Sequence, residues 1–94
     1  MRFDWDENKS RCNRAKHKVS FETAALVFDD PRAISRSERI EGGEERWQTL
    51  GLAGGIVVLL VAHLYYVEDG GEVIRIISAR KATPLERRTY EEEF

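Results

Sequence analysis

The stretch GGEERWQTLGLAGGIVVLLVAHLYYVEDGGEVIRIISARK, residues 42–81, decides the fold of this chain of 94 residues. Six of the seven glycines in the chain form three Gly-Gly pairs within it, at positions 42–43, 54–55 and 70–71. Glycine supplies the positive φ that tight hairpin turns require, and each pair lies between apolar or alternating segments. The pairs predict three turns that separate four strands, at about residues 32–40, 45–52, 56–67 and 72–80. Because the connections are too short for helical crossovers, we expect an antiparallel meander.

Helix signals flank this region on both sides. Asp6 is a good N-cap for a polar helix over about residues 7–17. Ser20 can cap a second helix, in which Phe21, Ala24, Ala25 and Phe28 fall at i, i+3, i+4 and i+7 on one face. After the last strand, the segment Thr83-Pro84-Leu85-Glu86 combines an N-cap, a proline at the first helical position and a capping box, which predicts a C-terminal helix.

These elements predict one α+β domain over residues 1–94. Two N-terminal helices pack on a four-stranded antiparallel sheet, to which residues 2–5 can add a short edge strand. The C-terminal helix packs at an edge or reaches towards a partner. A hydrophobic content of 41% is enough for one modest core at this length.

Charge and cysteine content narrow the class of protein. The net charge is −2, but residues 73–90 carry +4, so the rest of the chain carries −6. A local basic patch can bind phosphate, although a solvated helix flank would look the same. The only cysteine is Cys12, which suits a reducing cytoplasm. The longest apolar run, residues 56–67, is too short to cross a bilayer, and the acidic N-terminus is no signal peptide. We therefore expect a cytoplasmic protein without a membrane segment.

Several stretches together resemble the BrnT family of toxins. The stretches are 3–6 (FDWD), 16–21 (KHKVSF), 27–31 (VFDDP), 43–46 (GEER), 74–82 (IRIISARKA), 86–88 (ERR) and 90–91 (YE). The resemblance implies a RelE-like fold, ribonuclease activity that arrests translation, and a BrnA-like antitoxin that is itself a DNA-binding repressor. One departure is Lys18, where the family usually has glycine, and it changes the turn between the two helices.

In the RNA cleavage that this implies, the ribose 2′-hydroxyl attacks the adjacent phosphate. A base removes the proton of that hydroxyl, cations stabilise the charge on the phosphate oxygens, and an acid protonates the leaving 5′-oxygen. His17 is the first candidate base, because imidazole titrates near neutrality and Lys16 and Lys18 favour its neutral form. Its alternative role is a polar residue at a helix end. Arg80 is the candidate phosphate clamp, with a surface salt bridge as its alternative role. Regular alternation would place Arg80 on the face of Ile76 and Ser78.

Further candidates follow from the same strands and the last helix. Arg75 either contacts phosphate or forms an ion pair with Glu45. Glu45 either serves as a second base or positions an arginine through an ion pair. Arg46 can line the same cleft, and Lys81 is expected on the face of Arg75 and Ile77. Tyr90 either stacks on a base or packs the helix. His63, inside an apolar strand, is expected to be a satisfied buried histidine. No metal spacing or cofactor motif is present in the sequence.

Three functions fit these residues. The first is a metal-independent endoribonuclease toxin, with RNA as substrate and an antitoxin encoded nearby as partner. We expect a homodimer or a 2:2 complex, which contacts DNA only through the antitoxin and covers the surface around Arg80. The other two are a binding module without catalysis and a degenerate toxin that only binds its antitoxin.

Overall fold

The computed structural model describes residues 1–92, which form three α-helices and one five-stranded sheet. In chain order the elements are β1 (Arg2–Asp4), α1 (Glu7–His17), α2 (Phe21–Ala25), a 3₁₀ turn (Leu26–Asp29), β2 (Ile34–Glu41), β3 (Glu44–Ala53), β4 (Val57–Glu68), β5 (Gly71–Lys81) and α3 (Pro84–Glu92). The α+β class and all predicted elements are confirmed. The second helix is shorter than predicted, because its last turn tightens to 3₁₀ before Pro31. No helix among residues 1–92 is long and apolar enough to cross a membrane.

The sheet has the strand order β1-β5-β4-β3-β2. Strands β2 to β5 form the predicted antiparallel meander, and the N-terminal edge strand is also confirmed. The expected count of four strands is nevertheless wrong, because β1 pairs in parallel with β5 and makes the sheet mixed and five-stranded. A strand of three residues carries too little pattern to reveal its partner. The third turn also differs slightly, since its positive φ angles belong to Asp69 and Gly70.

The predicted caps hold the helices in place. The Asp6 carboxylate accepts from the backbone N–H groups of Asn8 (2.8 Å) and Lys9 (3.3 Å). The Ser20 hydroxyl accepts from the Thr23 N–H at 3.1 Å. Helix α1 ends at His17 and is followed by the cap residue Lys18, whose φ of +64° is left-handed and whose N–H donates to the Arg14 carbonyl. Glycine adopts this conformation most readily, so Lys18 replaces the family's usual glycine at a position where a side chain is sterically disfavoured.

The main core lies between one face of the sheet and helices α1 and α2. Its largest fully buried side chains include Phe21, Val27, Leu59 and Ile76. One buried polar side chain, Asn13 of α1, joins the helices to the sheet. Its amide nitrogen donates to the carbonyls of Val19 and Ala79, both at 2.8 Å, and its oxygen accepts from the Ala79 N–H at 3.2 Å.

Asn13 completes an edge of the sheet. Because β1 pairs only with residues 73–75, no strand within residues 1–92 lies beside the outer edge of β5 from residue 76 onward. The Asn13 amide offers Ala79 both a donor and an acceptor, as a strand would. A buried backbone group left without such a partner would cost about 1–3 kcal/mol.

We predict that Asn13→Ala lowers the free energy of unfolding by about 2–4 kcal/mol, because it leaves Ala79 with an unpaired N–H and carbonyl in a buried position. Urea unfolding measures this change. Asn8→Ala, on the exposed side of the same helix, is the control and should shift stability by no more than about 0.5 kcal/mol. Equal losses in the two variants would show that Asn13 is an ordinary helix residue.

Candidate nucleic-acid interface

The two faces of the sheet are covered by different helices. Helices α1 and α2 bury one face, and α3 crosses the other face near one end of the strands. Between α3 and the sheet lies a cavity of about 120 Å³. It is lined by Ile34, Arg36, Gln48, Leu50, Leu60, Glu86 and Thr89. Beyond α3 the second face carries a set of basic side chains.

The strand register defines this set, because residues paired across antiparallel strands share a face. Three rows cross the sheet: Arg39, Arg46, Leu64, Arg75 and Asp4; Arg36, Gln48, Ala62 and Ser78; and Ile34, Leu50, Leu60 and Arg80. We call this surface the arginine face, after Arg36, Arg39, Arg46, Arg75 and Arg80. Adjacent strands lie about 4.8 Å apart, so Arg46 and Arg75 are separated by roughly 10 Å along their row.

A β-bulge in β5 brings Arg80 to this face. The register shifts between Ala62, which pairs with Ser78, and His63, which pairs with Ile76, so Ile77 is the extra residue. Successive side chains of β4 point to opposite faces. Ser78 and Arg80 therefore lie on the face opposite Ile76, and the expectation that they share its face is wrong. The same bulge puts Lys81 opposite Arg75, where regular alternation had placed them together.

Arg80 makes a bidentate ion pair with Glu86 of α3. Its two terminal nitrogens lie 2.7 and 3.0 Å from the carboxylate oxygens, and Glu86 also accepts from the Thr83 N–H at 2.9 Å. The hydrogen bonds from Arg80 lower the pKa of Glu86 to about 2, although burial opposes this, and the Thr83 N–H adds to the effect. The salt bridge that the sequence left open is therefore present, and the clamp role of Arg80 stays a prediction.

Among the described residues, Arg75 and Arg46 each have a single carboxylate partner. Arg75 pairs with Asp4 of β1 at 2.5 Å, and not with Glu45 as one expectation had it. The buried Nε of Arg46 has no hydrogen-bond partner in the part of the chain that the structure describes, and it lies 3.5 Å from a carboxylate oxygen of Glu38. Each guanidinium group carries five N–H donors, more than these contacts use. Arg36 is exposed, at the mouth of the cavity beside α3.

His17 and Lys16 lie elsewhere, at the C-terminal end of α1. They line a groove of about 340 Å³ that runs between α1 and the open edge of β5 and also includes Cys12, Ile77 and Ser78. Arg80 does not line this groove. Ser78 belongs both to the groove and to the middle row of the arginine face. The structure thus places His17 beside the arginine face and not on it.

The remaining candidates are dispersed. Glu45 precedes Arg46, so alternation along β3 places it on the opposite face of the strand, with Trp47. Lys81 is exposed at the end of β5. Tyr90 is buried, and its hydroxyl donates to Asp30 at 2.6 Å. Burial raises the pKa of Tyr90, and the hydrogen bond to Asp30 raises it further.

His63 is the satisfied buried histidine that we expected. Its Nε2 lies 2.7 Å from the Thr49 hydroxyl, which is itself 2.7 Å from the Ser35 hydroxyl, and its Nδ1 lies 3.3 Å from the Leu64 carbonyl. Burial lowers the pKa of His63. The ring also meets Phe28 edge-on, with centroids 4.9 Å apart. These contacts give it a structural role.

Sequence reasoning missed three residues of the arginine face: Arg36, Arg39 and Tyr66. Tyr66 lies two residues after Leu64 in β4, so alternation places it on this face, where it is half-buried. The signal for Arg36 and Arg39 was weak, because β2 is polar on both faces and a bulge between Ser37 and Arg39 breaks its alternation. Among the described residues, no group of three or more His, Cys, Asp or Glu side chains is placed to hold a metal ion.

The Arg80–Glu86 pair predicts a pH-dependent stability. A carboxylate with a depressed pKa stabilises the folded state above its ordinary pKa, and that contribution disappears as the pH falls towards about 2. We expect Glu86→Gln to cost about 1–2 kcal/mol near pH 6, because Arg80 is partly exposed and solvent screens the pair. The difference from the parent should vanish between pH 4.5 and pH 2 in urea unfolding. Glu91→Gln, on the same helix, is the control, and a pH-independent difference for Glu86→Gln would contradict the ion pair.

Comparison with known proteins identifies the family. Residues 5–86 match the family model described as the ribonuclease toxin BrnT of type II toxin–antitoxin systems. The crystal structure of the Brucella abortus ribonuclease toxin BrnT is similar, with 28% sequence identity and a TM-score of 0.69 over 88% of this chain and 97% of that one. No curated protein sequence matches the chain significantly. The family model covers most of the chain, which therefore belongs to the BrnT family of ribonuclease toxins of type II toxin–antitoxin systems.

Proposed function

We propose that this toxin is a metal-independent endoribonuclease that binds RNA on its arginine face and inhibits translation and growth by cleaving it. The observation that carries the proposal is the alignment of Arg36, Arg39, Arg46, Arg75 and Arg80 on one face of the sheet. Guanidinium groups match phosphate geometry and stabilise charge that develops on phosphate oxygens. Family membership supports RNA as the target.

The chemistry we propose is attack by the ribose 2′-oxygen on the adjacent phosphorus. A base takes the 2′-hydroxyl proton, the bond from phosphorus to the 5′-oxygen breaks, and an acid protonates the leaving oxygen. Arg46 and Arg75 stabilise the added charge on the phosphate, because their donors are only partly used within the protein. A strand of RNA that crosses the row of Ser78 reaches the groove of His17, where the imidazole serves as base or acid.

The other candidates take supporting roles in this proposal. Arg80 contacts phosphate with the donors that Glu86 leaves free and also holds α3 against the sheet. Lys16 and Lys81, at the groove and at the end of β5, attract the RNA backbone. Tyr90 is buried, so stacking on a base would require α3 to move, and Tyr66 is the better-placed aromatic ring. Glu45 as second base is the least supported assignment, because it lies on the opposite face from the arginines.

Partners and location complete the proposal. We expect a BrnA-like antitoxin encoded nearby to neutralise the toxin in a cytoplasmic 2:2 complex, with DNA contacted only through the antitoxin. The alternative is a chain that binds RNA or antitoxin without cleavage. It is favoured by one observation, the separation of His17 from the arginine face. A cleavage assay on purified protein decides between the two.

We predict that cleavage persists in EDTA and leaves 2′,3′-cyclic phosphate and 5′-hydroxyl ends, because the 2′-oxygen is the nucleophile and side chains supply the charges. Mass spectrometry of the fragments identifies the ends. His17→Ala should lower the rate and change the pH–rate profile, whereas Cys12→Ala, in the same groove, should leave both unchanged. Loss of activity in EDTA that a divalent ion restores would contradict the metal-independent mechanism. An unchanged pH–rate profile in His17→Ala would show that His17 is not the base.

We predict that Arg75→Ala lowers kcat/KM about 100- to 1000-fold, the usual cost of losing a donor to the transition state. Stability should fall by no more than about 1 kcal/mol, because the Arg75–Asp4 pair is partly exposed and solvent screens it. Arg14→Ala, on α1, is the matched control and should keep parental activity. Full activity in Arg75→Ala would mean that the arginine face does not serve cleavage.

Arg80 needs a second variant, because it also anchors α3. If Arg80 contacts phosphate, Arg80→Ala should lower kcat/KM far more than Glu86→Gln, which breaks the ion pair but keeps the guanidinium. Similar activities for these two variants, at similar stability, would assign Arg80 a purely structural role.

A further inference from the structure

The surface opposite the arginine face is apolar and acidic where the helices leave it uncovered. Helices α1 and α2 and the 3₁₀ turn cover only part of their side of the sheet. Beyond them we define the apolar-acidic face by six residues: Ile40, Glu45, Trp47, Tyr65, Val67 and Glu72. Ile40 is 72% exposed, Val67 is 65% exposed and Tyr65 is 42% exposed. Together these exposed apolar side chains form a patch, and such patches are typical of protein–protein interaction sites.

The patch contains a cavity whose lining includes aromatic side chains and His63. A space of about 330 Å³ opens between Trp47 and Tyr65, with Phe28, His63 and Ile74 among its lining residues. Its floor is formed by His63, which is held by one hydrogen bond to Thr49 and by an edge-on contact with Phe28. The volume is sufficient for a large apolar side chain, and pockets lined by aromatic residues are typical of binding hot spots.

The rim of the patch is negatively charged. Register places Glu45 opposite Ile40 and Glu72 opposite Val67, and Glu72 accepts a hydrogen bond from the Tyr65 hydroxyl at 2.9 Å. None of the six residues is a lysine or arginine. A two-fold contact would set this patch against its own copy and bring like charges together. The charge therefore disfavours a second copy and favours a partner whose apolar side chains are flanked by basic ones.

We propose that the apolar-acidic face is the docking surface for the antitoxin, which inserts a large apolar side chain between Trp47 and Tyr65 and places lysine or arginine beside Glu45 and Glu72. The proposal rests on the proposed function, because it assumes the antitoxin partner. It moves the anchor of the complex away from Arg80, whose charge Glu86 already balances. The toxin then presents RNA-binding and protein-binding chemistry on opposite faces of the same strands.

Calorimetric titration of the full-length toxin with the protein encoded by the adjacent gene tests this placement. Val67→Asp puts a charge into the apolar patch and should raise Kd at least tenfold. Its control is Ile56→Asp, because Ile56 is 87% exposed in the turn between β3 and β4 and should leave Kd unchanged. Glu72→Lys should also weaken binding and slow association, whereas Glu22→Lys, on α2, should not. Val67→Asp should keep its RNA cleavage rate, which shows that the variant is folded.

The outcomes separate the inference from the function on which it rests. Parental affinity in both Val67→Asp and Glu72→Lys overturns the docking surface, and so does a loss of affinity confined to Arg75→Ala. A toxin that dimerises alone, and becomes monomeric as Val67→Asp in sedimentation, assigns the patch to a second copy and also overturns it. A parental chain that cleaves RNA but binds no adjacent gene product contradicts the antitoxin partner itself, and the docking surface fails with it.

Discussion

The amide of Asn13 is the contact on which the layout of this toxin depends. It satisfies both backbone groups of Ala79 and the carbonyl of Val19, and so ties α1, the connection to α2 and β5 at one buried point. Without it, the outer edge of β5 beyond β1 would be an open template for another strand. Because the amide occupies that edge, α1 runs along it. The groove of His17 exists for the same reason, since it is the space between α1 and this edge.

The bulge at Ile77, two residues from that contact, is the second constraint. Before the bulge, Ile74 and Ile76 enter the core, and after it Ala79 takes the core position. Under strict alternation Arg80 would follow Ile76 into the core, where an unpaired guanidinium is costly. The extra residue lets the strand keep an apolar contact with the helices and still present both Arg75 and Arg80 to the other face. A local irregularity of one residue thus assembles the proposed RNA surface.

Features encoded by local chemistry were predictable from the sequence, and those that depend on distant partners were not. Asp6, Ser20 and Thr83 each cap a helix through atoms within three residues. The Gly-Gly pairs located all three hairpin turns, the third of them to within one residue. The pairing of β1 with β5 joins residues some 70 positions apart and leaves no local signal. Asn13 looks like any polar residue of a weakly amphipathic helix. The bulges matter most for the site, because a period-2 argument assigns the wrong face to every residue beyond them.

The distribution of charge along the sequence does not show which charged residues the fold places on opposite faces of the sheet. In β3 Glu45 and Arg46 are neighbours in sequence but belong to opposite faces, and in β5 Glu72 and Arg75 are likewise divided. A sequence window averages the two faces, which is why a net charge of −2 says little about either. The same geometry makes register critical, since a slip of one residue would exchange the faces of an entire strand. The ladder between β4 and β5, with its bulge at Ile77, therefore determines which chemistry each face of β5 presents. In this small sheet a contact that fixes the register of a strand therefore affects both the packing of the core and the side chains that each face presents.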